Sequence, residues 1–159
     1  MDEILDQWRR ERPDLDCGPT AVFGRLNRLD RASNAAIEAR LGEHGLSRGE
    51  FDVLATLRRS GEPYTLALTA LARWMMLSSA AMTNRVDRLE AAGLVERRPD
   101  PGDRRGLLVA LTLDGMQVVD AAVADHVENE RRLLEPLSEE EQQTLNALLR
   151  KLLLGLQTG

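Results

Sequence analysis

The segment from residue 78 to residue 111 constrains the fold more than any other part of this 159-residue chain. An amphipathic run begins at two serines, Ser78 and Ser79, and ends at Gly93. Two short apolar runs follow, at 94–98 and 107–111, with Pro-Asp-Pro-Gly-Asp at 99–103 between them. Proline, glycine and aspartate are typical turn residues, so the segment predicts a helix followed by a β-hairpin.

Apolar residues at helical spacing predict further helices on both sides of this segment. Two of them open with serine capping boxes, one at residues 47–50 and one at 138–141. The remaining predicted helices cover 2–11, 20–41, 68–76, 78–92 and 112–134. Helices followed by a hairpin indicate a mainly α fold of the winged helix-turn-helix type. We expect a single domain over 1–159, with a DNA-binding lobe at 46–111 and dimerisation helices at 1–45 and 112–159.

A wide leucine stripe marks the last predicted helix. Its leucines recur at spacings of three and four, at positions 145, 148, 149, 152, 153 and 156. A stripe of this width needs a partner surface. Packing within the chain is one solution, but a homodimer is favoured because a two-fold protein matches palindromic DNA.

The helix predicted at 78–92 has two different faces. One is apolar, and the opposite face carries Asn84 and Arg88 with Thr83 on its flank. Asparagine suits adenine and arginine suits guanine in the major groove, so we expect these three residues to contact double-stranded DNA. Ser78 or Ser79 is expected to cap the helix and to contact a phosphate. An ordinary amphipathic surface helix would show the same periodicity.

The predicted hairpin favours the DNA interpretation. Asp103, Arg104 and Arg105 are expected at its tip, where an arginine can enter the narrow minor groove. Asp103 would then pair with a neighbouring arginine and fix its direction. A solvated charged turn is the alternative.

Composition limits the other classes of function. The net charge is −5, but residues 79–106 carry six arginines against five acids, so basic character is concentrated there. Two distant histidines and a single cysteine offer no metal-ligand spacing, catalytic triad or phosphate loop. We therefore expect no enzyme activity and no cofactor. The sequence has no apolar run of 18 residues and no signal peptide, which predicts a cytoplasmic protein without membrane contact.

Two stretches of this sequence resemble the MarR family of transcriptional regulators. Residues 78–85, Ser-Ser-Ala-Ala-Met-Thr-Asn-Arg, and 87–95 are similar to its recognition helix. Residues 100–105, Asp-Pro-Gly-Asp-Arg-Arg, followed by Val-Ala-Leu-Thr at 109–112, are similar to its wing. The resemblance implies a triangular homodimer that binds a palindromic operator, usually as a repressor. At 67–70 the chain reads Ala-Leu-Thr-Ala where that family usually has a Ser/Thr-Pro-Thr-Glu helix start.

Residues 8–16 and 50–54 resemble a narrower, urate-responsive branch of the family, the HucR/PecS branch. The resemblance implies that Trp8, Asp52, Arg85 and Arg97 contact a small anionic effector, either urate or a carboxylate. On the helical wheel Arg85 lies near the packed face, where its charge needs a buried partner or an anion. A purely structural salt bridge between Asp52 and an arginine is the alternative.

A cysteine-based redox sensor is the competing regulatory hypothesis. Cys17 immediately precedes the first long helix, near the position of the reactive cysteine in peroxide-sensing MarR proteins, and a helix N-terminus can lower the pKa of a thiol. The chain has only one tyrosine, Tyr64, so the aromatic hydroxyls that such a sensor would use are missing.

Overall fold

The structure, a computed structural model, describes residues 1–157, except for the side chains of Arg104 and Arg105. Five helices and one strand precede the hairpin, and two long helices follow it. In chain order the elements are α1 (Asp2–Glu11), α2 (Gly18–Gly42), α3 (Arg48–Arg59), β1 (Thr65–Ala67), α4 (Leu68–Trp74), α5 (Ser79–Ala91), β2 (Val95–Asp100), β3 (Asp103–Leu111), α6 (Leu113–Leu134) and α7 (Glu139–Gln157). The mainly α winged helix-turn-helix fold predicted from the sequence is confirmed.

The core lies where α3, α4 and α5 meet the sheet and α6. The apolar face predicted for α5 is confirmed, because Met82, Val86 and Leu89 are at most 1% exposed. From α3 the core receives Val53, Leu54 and Leu57, and from α6 it receives Val119 and Ala122. This packing fixes α5 on the domain and leaves its opposite face outside.

A three-stranded antiparallel sheet with strand order β1-β3-β2 covers one side of the core. Strand β1 pairs with β3 from Thr65 opposite Ala110 to Ala67 opposite Leu108. Strand β1 was not predicted, because three residues are too few to show an alternating pattern. A strand this short is stabilised mainly by its pairing with β3.

The hairpin turn is shorter than predicted. Its two strands extend to Asp100 and Asp103, which pair with each other, so only Pro101 and Gly102 connect them. The Asp100 side chain accepts a hydrogen bond from the Gly102 amide at 2.8 Å and closes the turn locally. The expectation that residues 103–105 form the tip is therefore wrong, since they begin β3. The side chains of Arg104 and Arg105 lie outside the described residues.

Side-chain caps define most of the helix starts. At α3, Ser47 and Glu50 form the predicted capping box, and at α7 Ser138 and Glu141 exchange the equivalent hydrogen bonds. Ser78 is the N-cap of α5 and accepts a hydrogen bond from the Ala81 amide. At α4 the N-cap is Ala67, which has no side-chain bond, and the helix instead continues directly from β1.

Outside the winged lobe (residues 46–111), α1, α2 and α7 leave much apolar surface uncovered. None of the described α7 residues is buried, and its leucines reach 60% exposure at Leu153 and 73% at Leu156. On α2, Phe23 is 61% exposed and faces the same open groove as these leucines. Among the described residues, no helix has the length and apolarity needed to cross a membrane.

Candidate DNA interface and adjoining cavity

The outer face of α5 is polar and open to solvent. Asn84 and Arg88 are exposed, Thr83 is half-buried beside them, and Ser79 is exposed in the first turn. Ser78 uses its hydroxyl as the N-cap of the same helix. The structure thus brings five of the eight predicted DNA contacts onto one helix and its cap. Small and polar side chains at this surface permit the close approach that base-edge contacts require.

Arg88 does not extend freely from this face. Its Nε donates a hydrogen bond to Glu50 Oε1 at 2.8 Å, and among the described residues the guanidinium has no other partner. The Arg88 side chain is 62% exposed, whereas that of Glu50 is 14% exposed. The contact therefore engages Nε and leaves the two terminal nitrogens without a partner among the described residues.

The other oxygen of Glu50 belongs to the α3 cap. Oε2 accepts hydrogen bonds from the Ser47 amide at 2.9 Å and from the Ser47 hydroxyl at 2.6 Å. Burial raises the pKa of the Glu50 carboxyl, but the hydrogen bonds from Ser47 and the adjacent Arg88 outweigh it, and the pKa lies below its ordinary value. Glu50 is consequently an ionised bridge between α3 and α5 at neutral pH.

Arg97 links the hairpin to α5. From β2 its guanidinium contacts Asp87 at 2.6 Å and Glu90 at 2.5 Å, and it also donates to the backbone oxygen of Thr83. Its backbone amide donates to Glu90 as well, at 3.0 Å. The side chain is 18% exposed. This network fixes the angle between the hairpin and α5.

A cavity of about 590 Å³ lies between α3, the α4–α5 connection, α5 and α6. We call it the α3–α6 cavity. Phe51, Met75, Leu77 and Val123 form apolar walls, while Asp52, Thr56, Arg59, Arg85 and His126 contribute polar groups. Its combination of apolar walls with a few charged groups is typical of a small-molecule site.

Arg85 enters this cavity from α5, as its position on the helical wheel predicts. It has no hydrogen bond or ion pair with any described residue, and its guanidinium lies against the backbone of Gly49 in the first turn of α3. A Cβ at Gly49 would come within 2.6 Å of the guanidinium carbon. A positive charge at a helix N-terminus without a paired acid is unfavourable, so an anion would be well accommodated beside it.

The predicted effector residues do not all meet. Asp52 and Arg85 line the α3–α6 cavity, but no salt bridge joins Asp52 to an arginine in the described part of the chain, against the structural alternative. Arg97 contacts α5 acids rather than the cavity. Trp8 lies on α1, 45% exposed, and is not part of the cavity wall.

Three polar residues of the cavity were not predicted as effector contacts: Thr56, Arg59 and His126. Arg59 lies in the last turn of α3 and donates to the Thr56 hydroxyl at 3.1 Å. The His126 ring packs against Phe51 in a tilted arrangement with ring centroids 4.9 Å apart, and its buried Nδ1 has no hydrogen-bond partner among the described residues. Arg59 is seven residues after Asp52, which places both on one face of α3. This spacing in the sequence could have indicated that Arg59 faces the same site as Asp52.

Cys17 is the N-cap residue of α2 and is half-buried, without a side-chain cap bond. It lines a small cleft between α1 and α2 with Leu5 and Arg25. The α3–α6 cavity does not include it.

The arrangement of α3, α4, α5 and the hairpin defines the class of protein, a DNA-binding regulator of the winged helix-turn-helix type. The profile of the MarR family matches residues 44–106. The chain is 44% identical over 149 residues to the transcriptional regulator PecS of Dickeya dadantii, covering 94% of this chain and 90% of that protein.

Solved structures of MarR family regulators have the same fold as this chain. AbsC, a MarR family regulator of Streptomyces coelicolor, superposes with a TM-score of 0.80 at 25% identity, over 91% of this chain and 98% of AbsC. A mutant of Escherichia coli MarR in complex with operator DNA superposes with a TM-score of 0.74 at 26% identity, over 92% and 97% of the two chains. The chain belongs to the MarR family of transcriptional regulators, in its PecS-like branch.

Proposed function

We propose that the chain is a repressor that binds a palindromic operator as a homodimer and that a small anionic effector releases it. The observation that carries the proposal is the exposed polar face of α5, held on the core beside the hairpin. Asn84 and Arg88 are proposed to contact base edges, with Thr83 beside them. Ser78 and Ser79, at the helix start, are proposed to contact the phosphate backbone.

The hairpin is proposed to contribute the second DNA contact. Asp103, Arg104 and Arg105 open β3, next to the Pro101–Gly102 turn. Arginines near the end of such a hairpin suit the minor groove, where the negative potential is enhanced. The ion pairs of Arg97 support this role, because they set the hairpin at a fixed angle to α5.

Dimerisation is proposed to occur through α2 and α7, together with α1. Exposed apolar side chains on α2 and α7 share one groove, lined by Val22, Phe23 and Leu26 and by the α7 leucines. Apolar surface of this extent on a single chain indicates a partner. A second copy of the chain suits this surface, because the dimer would present two α5 helices, one to each of two successive major-groove half-sites.

The effector is proposed to bind in the α3–α6 cavity. Arg85 and Arg59 supply positive charge, the apolar walls suit a planar ring, and the unpaired His126 Nδ1 supplies a polar contact. Urate and aromatic or small carboxylates have this chemistry. Arg85 and Arg88 lie three positions apart on α5 and both contact the first turn of α3. An anion that attracts Arg85 would therefore shift the helix that contacts DNA.

DNA binding is tested by fluorescence anisotropy with the DNA upstream of the protein's own coding sequence and with a shuffled duplex of equal length. We expect a preference of about a thousandfold or more for the upstream DNA and a steep salt dependence. Equal affinity for both duplexes would contradict the proposal of a specific operator.

The effector is tested by thermal unfolding with urate and with benzoate-type carboxylates. We expect ligand-dependent stabilisation that Arg85→Ala and Arg59→Ala each reduce, and that Arg98→Ala, on the hairpin surface, leaves unchanged. The ligand should also release bound operator DNA. Stabilisation of equal size in Arg85→Ala and in the wild type would remove this cavity as the site.

A further inference from the structure

We propose that Glu50 is a positioning residue that aims Arg88 at a base and thereby sets the sequence specificity of DNA binding. The inference rests on the proposed function of α5. The position of Glu50 is unexpected for a surface that binds DNA, because an acid there would ordinarily weaken the attraction to DNA phosphates. Glu50 lies beside an arginine on the face that is proposed to contact DNA.

The geometry shows what Glu50 provides. Its Oε1 binds Arg88 through Nε, at 2.8 Å, and not through the terminal nitrogens. Bidentate recognition of guanine uses two guanidinium N–H groups to reach O6 and N7. Because Glu50 engages only Nε, both terminal nitrogens remain available to donate to one guanine. An exposed arginine without such a contact would sample many rotamers and lose more entropy on binding.

The anchor itself is rigid. The Glu50 side chain is 14% exposed, and its second oxygen accepts two hydrogen bonds from Ser47 at the start of α3. Both carboxylate oxygens are thus engaged, one on each helix. A glutamine cannot reproduce this, because its amide has one acceptor oxygen and would have to abandon either Ser47 or Arg88. Glu50→Gln therefore removes the bridge with almost no change in side-chain volume.

The bridge predicts opposite effects on specific and non-specific binding. Losing the anchor weakens the base contact, which lowers affinity for the preferred sequence. Losing a negative charge near the phosphates leaves affinity for random DNA equal or makes it tighter. A merely structural role for Glu50 would lower both affinities together, because unfolding removes all binding.

The experiment uses a DNA sequence selected by the wild-type protein from a random pool, and duplexes that differ from it at one base pair. Affinities of the wild type, Glu50→Gln, Arg88→Ala and the double variant are measured on these and on random DNA. We expect Glu50→Gln to lose roughly tenfold in discrimination at the same base pair that Arg88→Ala no longer distinguishes. The double variant should lose no more than Arg88→Ala alone.

Ser47→Ala is the matched control, since it removes the hydroxyl of the same capping box. The Ser47 amide can still donate to Glu50 Oε2, and Oε1 remains the acceptor for Arg88. It should lower the melting temperature and retain base discrimination. Equal loss of discrimination in Ser47→Ala and Glu50→Gln would overturn the inference in favour of a helix-cap effect. If Glu50→Gln keeps full discrimination while Arg88→Ala loses it, the positioning role of Glu50 is wrong and the base contact of Arg88 stands. Full discrimination in Arg88→Ala would instead overturn the proposed base contact of Arg88.

Discussion

The winged lobe and the terminal helices satisfy their apolar surfaces differently. In the lobe, α3, α4 and α5 bury residues such as Leu54, Leu71 and Met82 completely within one chain. In α7 no described residue is buried, although leucines make up its stripe. The lobe can therefore adopt its structure from intramolecular contacts, whereas α7 leaves its leucines exposed in the described part of the chain. In the proposed homodimer, this difference separates residues that maintain the lobe from residues that would pair two copies of the chain.

The largest expected effect is on dimerisation through the terminal helices. Leu152→Glu places a charge in the α2–α7 groove, where Leu152 is 46% exposed in the single chain. Burying an unpaired charge in a dimer interface would raise the dimer dissociation constant by about a hundredfold or more. Sedimentation equilibrium should show monomers at micromolar concentration. Arg150→Glu, at an exposed position on the same helix, should remain dimeric, and an unchanged dimer in Leu152→Glu would contradict the interface.

The second effect concerns the stability of the lobe. Gly115, in the first turn of α6, is buried so closely against the backbone of Leu94 that a Cβ would lie 1.9 Å from the Leu94 carbonyl oxygen. Gly115→Ala must separate α6 from the α5–β2 connection and should cost about 3 kcal/mol. Gly42→Ala is the control, because nothing lies within 4 Å of that position, and it should be neutral or stabilising. Urea denaturation measures both, and equal effects would contradict the close packing.

The third effect distinguishes the two roles considered for Arg97. Because Arg97 is 18% exposed and contacts two α5 acids, Arg97→Ala should destabilise the protein by about 1–2 kcal/mol. Arg98→Ala, which removes only an exposed pair with Glu96, should change stability by less than about 0.5 kcal/mol. Thermal unfolding provides the comparison. If Arg97→Ala instead keeps full stability and abolishes effector binding, the effector role implied by the family resemblance would be correct.

The smallest effect is a pH dependence at the junction of α2 and α6. The hydrogen bond from His44, at 2.9 Å, together with the charge of Arg40, lowers the pKa of Asp125 despite the opposing effect of desolvation. A lowered folded-state pKa means that the stabilisation is complete at neutral pH. It is lost as the pH falls below about 3.9, the ordinary aspartate value, towards the folded-state pKa. The stability difference between wild type and Asp125→Asn should therefore shrink between pH 5 and about pH 3, and a constant difference would contradict the assignment.

The sequence predicted the elements that have a long periodic signal. The faces of α5, the serine caps and the hairpin all followed from residue spacing, and burial of Met82, Val86 and Leu89 confirmed the helical wheel. Strand β1 was missed, because its three residues form a strand only through pairing with β3. The turn was predicted too long, because strand pairing extends to Asp100 and Asp103.

The site was predictable in its types of residue but not in its contacts. Periodicity placed Arg85 inward and Arg88 outward. It could not show that both would meet the first turn of α3, because that depends on how α3 and α5 cross. The contacting residues Glu50 and Arg88 are 38 positions apart in sequence. The family resemblance associated Arg97 with the effector, whereas tertiary pairing places it against Asp87 and Glu90.

The outer face of α5 is proposed to distinguish bases, and the base-specific affinity of Arg88→Ala tests this role most directly. Binding to the selected sequence and to random DNA is measured across a range of salt concentrations, with Arg73→Ala, an exposed arginine of α4, as the control. We predict that Arg88→Ala loses about ten- to a hundredfold in preference for the selected sequence and keeps nearly the wild-type salt slope. An unchanged preference with a reduced salt slope would instead make Arg88 a phosphate contact and contradict the claim.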